Sequence, residues 1–255
     1  MSVSVIIPAR LDSTRLPRKA LLDLGGKPML QHVWERASKM QKADSVAIAT
    51  DSEEIRERAE GWGATVHMTS PQCQSGTERL AELLPKIDSQ FFLNVQGDEP
   101  FIEPALLDSL VQVWEDTGCD LVTAVFRIHD SVDIFDPNLV KVVRSADGQA
   151  MYFSRSPVPY VRGFSQENWI AEGPAFWAHI GVYGYARETL SRYTGLTPGV
   201  LEKSEKLEQL RFLEHGFSIQ AVETAYEPLG IDTPDDLEAA RRRQDKSCTC
   251  DPSDH

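Results

Sequence analysis

The segment from Val5 to Leu30 constrains this chain more than any other. Val5, Ile6 and Ile7 form an apolar run that stops at Pro8, as a buried parallel strand does where it leaves its sheet. Arg10, Arg15, Arg18 and Lys19 then place four cations within ten residues, with Ser13 and Thr14 among them. Gly25, Gly26 and Pro28 turn the chain, and Met29 to Met40 has the spacing of an amphipathic helix. Strand, loop and helix in that order build an open α/β sheet, whose ligands sit beyond the carboxyl ends of the strands. Arginine and lysine placed there pair with phosphate oxygens through charge-assisted hydrogen bonds. The loop is basic although the whole chain carries a net charge of -13, so it is not a sample of the general surface. The same acidic balance excludes a general nucleic-acid binder, which would show a basic footprint.

The remaining chain supplies elements of the same kind. Ser45 to Thr50 reads as a strand, with Asp51 or Ser52 available to cap a helix from Glu53 to Gly61. Ala64 to Met68 is a short strand, and Ser75-Gly76-Thr77 opens the next helix. Backbone N–H groups at such a start suit an anion or a nucleobase edge, although taken alone the tripeptide is a plain N-cap. Phe91 to Val95 is a strand followed at once by Gln96-Gly97-Asp98-Glu99-Pro100. A carboxylate directly behind an apolar strand lies at the ligand edge, where Mg²⁺ is commonly held by one or two carboxylates plus substrate phosphates. A helix from Ala105 to Thr117 and a strand from Asp120 to Arg127 come next.

From about Ser131 to Ala178 the texture changes. The strands Val140 to Arg144 and Ala150 to Phe153 are short, while Pro157, Pro159, Gly163, Gly173 and Pro174 break the chain. Trp169, Phe176 and Trp177 are crowded there, which fits a lid, a subunit contact or ordinary core packing. His179 to Tyr185 returns to a strand pattern that puts His179 and Tyr183 on one face. A helix opens at Leu207 to Arg211 and ends near His215, and Ile219 to Thr224 is the last strand. Thr233 is the expected N-cap of a final helix, with Pro234 first, Asp235 and Asp236 in the first turn, and Asp232 just ahead of the cap. The expectation is a single domain over residues 1–243, an insertion at about 131–178, and a flexible tail over 244–255. No run approaches the ~20 apolar residues of a membrane span. The amino terminus lacks a basic n-region, so no signal peptide is expected. Cys73, Cys119, Cys248 and Cys250 read as free thiols of a cytoplasmic protein.

Taken in order, IIPARLDSTRLPRK, GGKPMLQHVWERA, IATDS, MTSPQCQSGTERLAE, NVQGDEP, MYFSRSPVP, HIGVYGY, SEKLEQLRFLEHG and GIDTPDDLE resemble the 3-deoxy-manno-octulosonate (Kdo) cytidylyltransferases. The resemblance spans nearly the whole chain to about Arg243. It implies a mostly parallel, Rossmann-like nucleotidyltransferase fold with an inserted dimerisation subdomain, and therefore a homodimer. It also implies the conversion of CTP and Kdo to CMP-Kdo and pyrophosphate with Mg²⁺, in lipopolysaccharide synthesis. By match to the family's motifs, Arg10, Arg15 and Lys19 would hold the triphosphate. Ala9, Arg10, Ser75 and Arg79 would read the cytosine, and Asp98 and Asp232 would carry Mg²⁺. Gln96, Arg155, His179, Tyr183, Glu208 and Gln209 would surround the sugar acid. The chain departs from the family at Arg18, where Gly is usual, and at Ala20, where Pro is usual; the Arg18 head group is expected in solvent. A related synthetase for 8-amino-Kdo or a sialic-type acid, and a non-catalytic nucleotide sensor, are the competing readings. Asp98, Asp232 and Lys19 together speak against the sensor, because binding alone needs no metal pair.

Overall fold

The computed structural model describes residues 1–11, 16–231 and 233–248, with side chains as far as residue 244. Arg15 and Asp232 lie outside the described residues, as do Ser13, Thr14 and Cys250. The chain forms two compact units, one of residues 1–107 with 228–255 and one of residues 108–227.

In the first unit, β1 (Val3–Ala9) runs between β4 (Ser45–Thr50) and β6 (Phe91–Asn94), and β5 (Thr65–Met68) pairs outside β4. All of these pairings are parallel. Val5, Ile6, Ile7 and Leu93 are fully buried, which is why their segments are continuous apolar runs rather than alternating ones. Burying each such side chain stabilises the unit by roughly 1.5–3 kcal/mol. A two-residue hairpin (β2, Asp23–Leu24; β3, Lys27–Pro28) leads into α1 (Met29–Ala37). Met29, Val33 and Ala37 form the buried stripe of α1, so the helix ends at Ala37 and not at Met40. Ser52 caps α2 (Glu53–Gly61) by accepting from the Ile55 N–H at 3.4 Å, and Ser75 caps α3 (Gly76–Leu83) by accepting from Glu78.

The chain steps outward from β1 to β4 to β5, then returns to the opposite side of β1 at β6. That reversal is a topological switch point, and the crevice beyond the carboxyl ends of its strands is where an α/β sheet binds ligands. The loops after β1 and β6 therefore face one another by topology. Gly97 permits their approach: a Cβ at that position would stand 3.1 Å from the Pro8 carbonyl oxygen.

α4 (Pro104–Thr117) leads into the second unit. There β7 (Leu121–Arg127) is followed by α5 (Ser131–Phe135), the hairpin β8 (Lys141–Arg144) and β9 (Ala150–Ser154), and α6 (Trp169–Glu172). Next come β10 (Trp177–Ala186), α7 (Arg187–Tyr193), α8 (Val200–Glu205), α9 (Gln209–Glu214) and β11 (Ile219–Thr224). β7 pairs parallel with β11 and antiparallel with β10, and β10 also meets β8. The stretch 131–178 lies wholly inside this unit. Trp169 and Phe176 are core residues, 2% and 1% exposed and stacked at 6.0 Å, packed with Ile128 and Ile134. Its large exposed apolar side chains are others: Val132, Phe135, Met151, Tyr160 and Phe164.

α10 (Pro234–Cys248) returns to the first unit. Thr233 and Asp236 cap it reciprocally, each backbone N–H donating to the other's side-chain oxygen at 2.8 and 3.2 Å. The helix continues past Arg243, where fraying was expected, as far as Cys248.

Candidate active site

Lys19 and Asp98 meet at the switch point. The Lys19 ammonium donates to Asp98 Oδ2 at 2.6 Å, with the lysine side chain 12% exposed and the carboxylate 37%. Lys19 begins a 3₁₀ turn, Lys19–Leu21, that closes the cationic loop. The backbone N–H of Ile231 donates to the Asp98 carbonyl at 3.4 Å, which ties residue 231 to the loop that carries Asp98. The sequence expectation for a metal falls on Asp98 and Asp232, of which Asp98 is the described member.

Arg18 is exposed, as expected, its side chain 54% accessible, and its guanidinium pairs with Glu54 at the start of α2. Its backbone is left-handed (φ 58°), the conformation that favours glycine and costs another residue about 1–2 kcal/mol. An exposed ion pair returns only ~0–1 kcal/mol. Arg18→Gly is therefore expected to leave turnover within about twofold and stability unchanged or raised by up to ~1 kcal/mol. Thermal unfolding beside steady-state rates checks it, and a large loss of turnover would make Arg18 a substrate ligand.

Beside this pair lies a cleft built on α3. Pro8, Ala9, Arg10, Gln96 and the run from Cys73 to Gly76 line a cavity of about 150 Å³ with Arg79. A second cavity of about 410 Å³ shares Arg10, Cys73, Gln74 and Arg79 and reaches Asp51 and Pro71. Cavities of a few hundred Å³ suit a small-molecule ligand. Ser75 serves as the cap of α3, as the plain reading has it, and also stands in the wall of the cleft. Gly76 lets α3 approach β1: a Cβ there would stand 2.9 Å from Pro8 Cγ. Arg79, only 4% exposed, donates to Thr69 Oγ1 at 2.6 Å and to Asp51 Oδ2 at 2.8 Å. Asp51 is thus the partner of Arg79, leaving the helix cap to Ser52. Gln96 stands in the cleft wall with its amide near Asn94 Oδ1, at 3.5 Å.

Arg155, His179, Tyr183, Glu208 and Gln209 all belong to the second unit. A register shift in β10 between Ile180 and Tyr183 brings the His179 and Tyr183 rings to 5.1 Å. In a regular strand residues four apart lie about 13 Å apart, so the contact depends on this bulge. His179 Nε2 also meets Thr123 Oγ1 at 2.9 Å, and its ring packs edge-on to Phe153. Burial lowers the His179 pKa to about 3 and pushes that of the Tyr183 phenol well above its usual value, reinforced by Tyr185 and Glu208. Tyr193 donates to Glu208 Oε2 at 3.0 Å, and Arg211 lies over the Tyr193 ring while binding Glu202 through two nitrogens. Gln209 is 5% exposed, and among the described residues its Nε2 has no hydrogen-bond partner. A buried amide of that kind is costly unless a ligand or water completes it. Arg155 donates to the carbonyls of Glu205 and Pro137 at 2.8 and 2.9 Å, and Glu205 also accepts from Ser154 and from the Arg155 N–H.

The His179 environment gives a pH expectation. Its folded pKa lies below the unfolded value near 6.5, so the unfolded chain binds the extra proton as pH falls. The stabilisation is whole above pH 6.5 and is lost progressively toward pH 3. Denaturant titrations should show wild type losing roughly 1–2 kcal/mol between pH 7 and pH 5 that His179→Gln does not lose. Equal losses in both proteins would contradict a neutral buried His179.

Asp51, Thr123, Tyr193 and Glu205 hold Arg79, His179, Glu208 and Arg155 in place, roles the sequence reading missed. Only Asp51 carried a signal, its position at the end of a strand beside β1. Among the described residues no group of three or more His, Cys, Asp or Glu side chains could hold a metal ion, and no helix is long and apolar enough to cross a membrane.

A family model described as Cytidylyltransferase matches residues 4–222. The 3-deoxy-manno-octulosonate cytidylyltransferase of Geobacter sulfurreducens is 44% identical over 243 residues, 93% of this chain and 97% of that protein. The enzyme of the same name from Chlorobium limicola is 46% identical over 95% of this chain and 97% of its own length. A solved structure of CMP:2-keto-3-deoxy-manno-octonic acid synthetase complexed with CTP superposes with a TM-score of 0.91 at 37% identity, covering 97% of this chain and all of that one. The fold is accordingly that of the nucleotidyltransferases, and the chain belongs to the cytidylyltransferase family.

Proposed function

We propose that this protein transfers CMP from CTP to the anomeric hydroxyl of Kdo, releasing pyrophosphate. The observation that carries the reading is the Lys19–Asp98 contact at the switch point beside a nucleotide-sized cleft, in a chain whose relatives bear that activity as their name. The new bond joins the sugar oxygen to the α-phosphorus, the bond to the β-phosphate bridge breaks, and the hydroxyl proton passes to solvent. Such a displacement needs positioning and charge stabilisation rather than a covalent nucleophile. Lys19, Arg10 and Arg15 hold phosphate oxygens, and the flexible Lys19 ammonium follows the charge as it moves toward the leaving group. Ala9, Ser75 and Arg79 hold the nucleobase. Gln96, Arg155, His179, Tyr183, Glu208 and Gln209 bind the sugar acid, and the unmet Gln209 amide suits a hydroxyl or carboxylate acceptor.

Asp98 and Asp232 are the residues that would hold Mg²⁺. The donor set fits: hard carboxylate oxygens, and few of them, suit an ion that keeps phosphate and water ligands. Bound there, the ion would supply Lewis-acid stabilisation of the phosphoryl oxygens. The exposed Val132, Met151, Tyr160 and Phe164 support a homodimer contact within residues 131–178; a monomer by light scattering at micromolar concentration would contradict it. The reading places the protein in the cytoplasm, supplying activated Kdo for lipopolysaccharide. Phosphorus NMR of a CTP and Kdo mixture tests the reaction: equal growth of a phosphodiester and a pyrophosphate signal is expected. Pyrophosphate with free CMP instead would show hydrolysis, not transfer.

A further inference from the structure

Three acceptors and donors on α3 face the loop over residues 69–74. Glu78 Oε2 accepts from the Gln74 N–H at 2.6 Å, and Arg79 donates to Thr69 and to the Ser70 carbonyl. One turn further on, both oxygens of Glu82 accept from the Ser70 N–H at 3.0 and 3.2 Å, and Oε2 also accepts from the Cys73 thiol at 3.3 Å. Positions 75, 78, 79 and 82 follow the i, i+3, i+4, i+7 spacing of a single helix face. That face is a rigid template against which Pro71 to Gln74 are laid, and Pro71, Cys73 and Gln74 line the cleft. We propose that Glu82 is a positioning residue for nucleotide recognition: it touches no substrate, and it fixes the Ser70–Cys73 turn so that the cleft accepts cytosine and rejects uracil. The proposal rests on the reading that the cleft holds the nucleobase.

The chemistry requires a carboxylate. Two oxygens serve one N–H and one S–H, whereas a glutamine turns one of them into a donor facing the same groups. The Ser70 N–H, with Cys73 adding, holds the Glu82 carboxyl below the usual range despite burial, so it is ionised at neutral pH. Burial and the same carboxylate push the Cys73 thiol up to about 11. Cys73 therefore acts as a donor and not as a nucleophile.

Steady-state kinetics of the full-length Glu82→Gln protein test this, with CTP and UTP varied against saturating Kdo. Expected are a rise of about tenfold in KM for CTP, kcat within about twofold, and a smaller preference for CTP over UTP. Should Glu82→Gln fold poorly, Glu82→Asp serves, with an intermediate KM. Alkylation of Cys73, followed by peptide mass, gives a readout independent of turnover and should quicken in either Glu82 variant as the turn loosens. Arg10→Ala separates the two readings. If it raises KM for CTP while Glu82→Gln leaves KM and base preference unchanged, the positioning role is overturned and the cleft assignment stands. If Arg10→Ala and Glu82→Gln both leave KM unchanged, the cleft does not hold the nucleotide and both fall. A loss of kcat and thermal stability in Glu82→Gln without a KM change would mark a merely structural residue and overturn the proposal.

Discussion

Lys19→Ala is expected to lower kcat and kcat/KM for CTP-dependent pyrophosphate release by about 30- to 1,000-fold, the loss of roughly 2–4 kcal/mol of charge stabilisation. The ammonium is mostly enclosed and held 2.6 Å from Asp98, so it already stands at the switch point when phosphate arrives, and its flexible stem lets it follow the charge from there. Stability should change by less than ~1 kcal/mol, because Asp98 is more than a third exposed and solvates when its partner is removed. Asp98→Asn should match the loss of rate with the fold intact. Rates within threefold of wild type for either variant, at saturating CTP and Mg²⁺, would remove that residue from the reacting centre.

The second large effect falls on Arg79. It is almost fully buried and ties Asp51, Thr69 and Ser70 together beneath the cleft. Arg79→Met leaves the Asp51 carboxylate without its cation, and breaking a buried pair in this way costs about 3–5 kcal/mol. For a chain of this size that corresponds to a Tm lower by roughly 6–20 °C. The KM for CTP should rise as the turn over residues 69–74 loses its anchor. Adding Asp51→Asn should recover part of the stability, because the uncompensated charge is gone; a double-mutant cycle with strictly additive losses would contradict direct pairing.

How far the sequence carried this account depends on the range of the interaction. Elements set by local chemistry were legible to within a residue or so. The Thr233 cap, the buried Val5–Ile7 run and the Glu53–Gly61 helix follow from spacing and side-chain type alone. That the basic loop and the acidic turn both lie at strand ends was legible, but the contact of Lys19 with Asp98 required β6 to return beside β1, which no local pattern states. Contacts made by long side chains across the fold were not legible. Asp51 and Ser52 were both candidate helix caps, and it takes Arg79, reaching Asp51 across 28 positions, to separate them. His179 and Tyr183 touch only because β10 bulges. The crowded aromatics at 169–177 left surface contact and core packing equally open, and only the fold places Trp169 and Phe176 in the core. Arg18 carried its signal through the resemblance: glycine is usual there, and the backbone is left-handed.

Pyrophosphate release measured for each of the four nucleoside triphosphates, each with Kdo, 8-amino-Kdo and a sialic acid, tests the central claim most directly. The account predicts release with CTP and Kdo at least about tenfold above every other pair, dependent on Mg²⁺ and reduced in Lys19→Ala. Equal or faster release with another nucleotide or with another sugar acid, or binding of CTP without release, would contradict it.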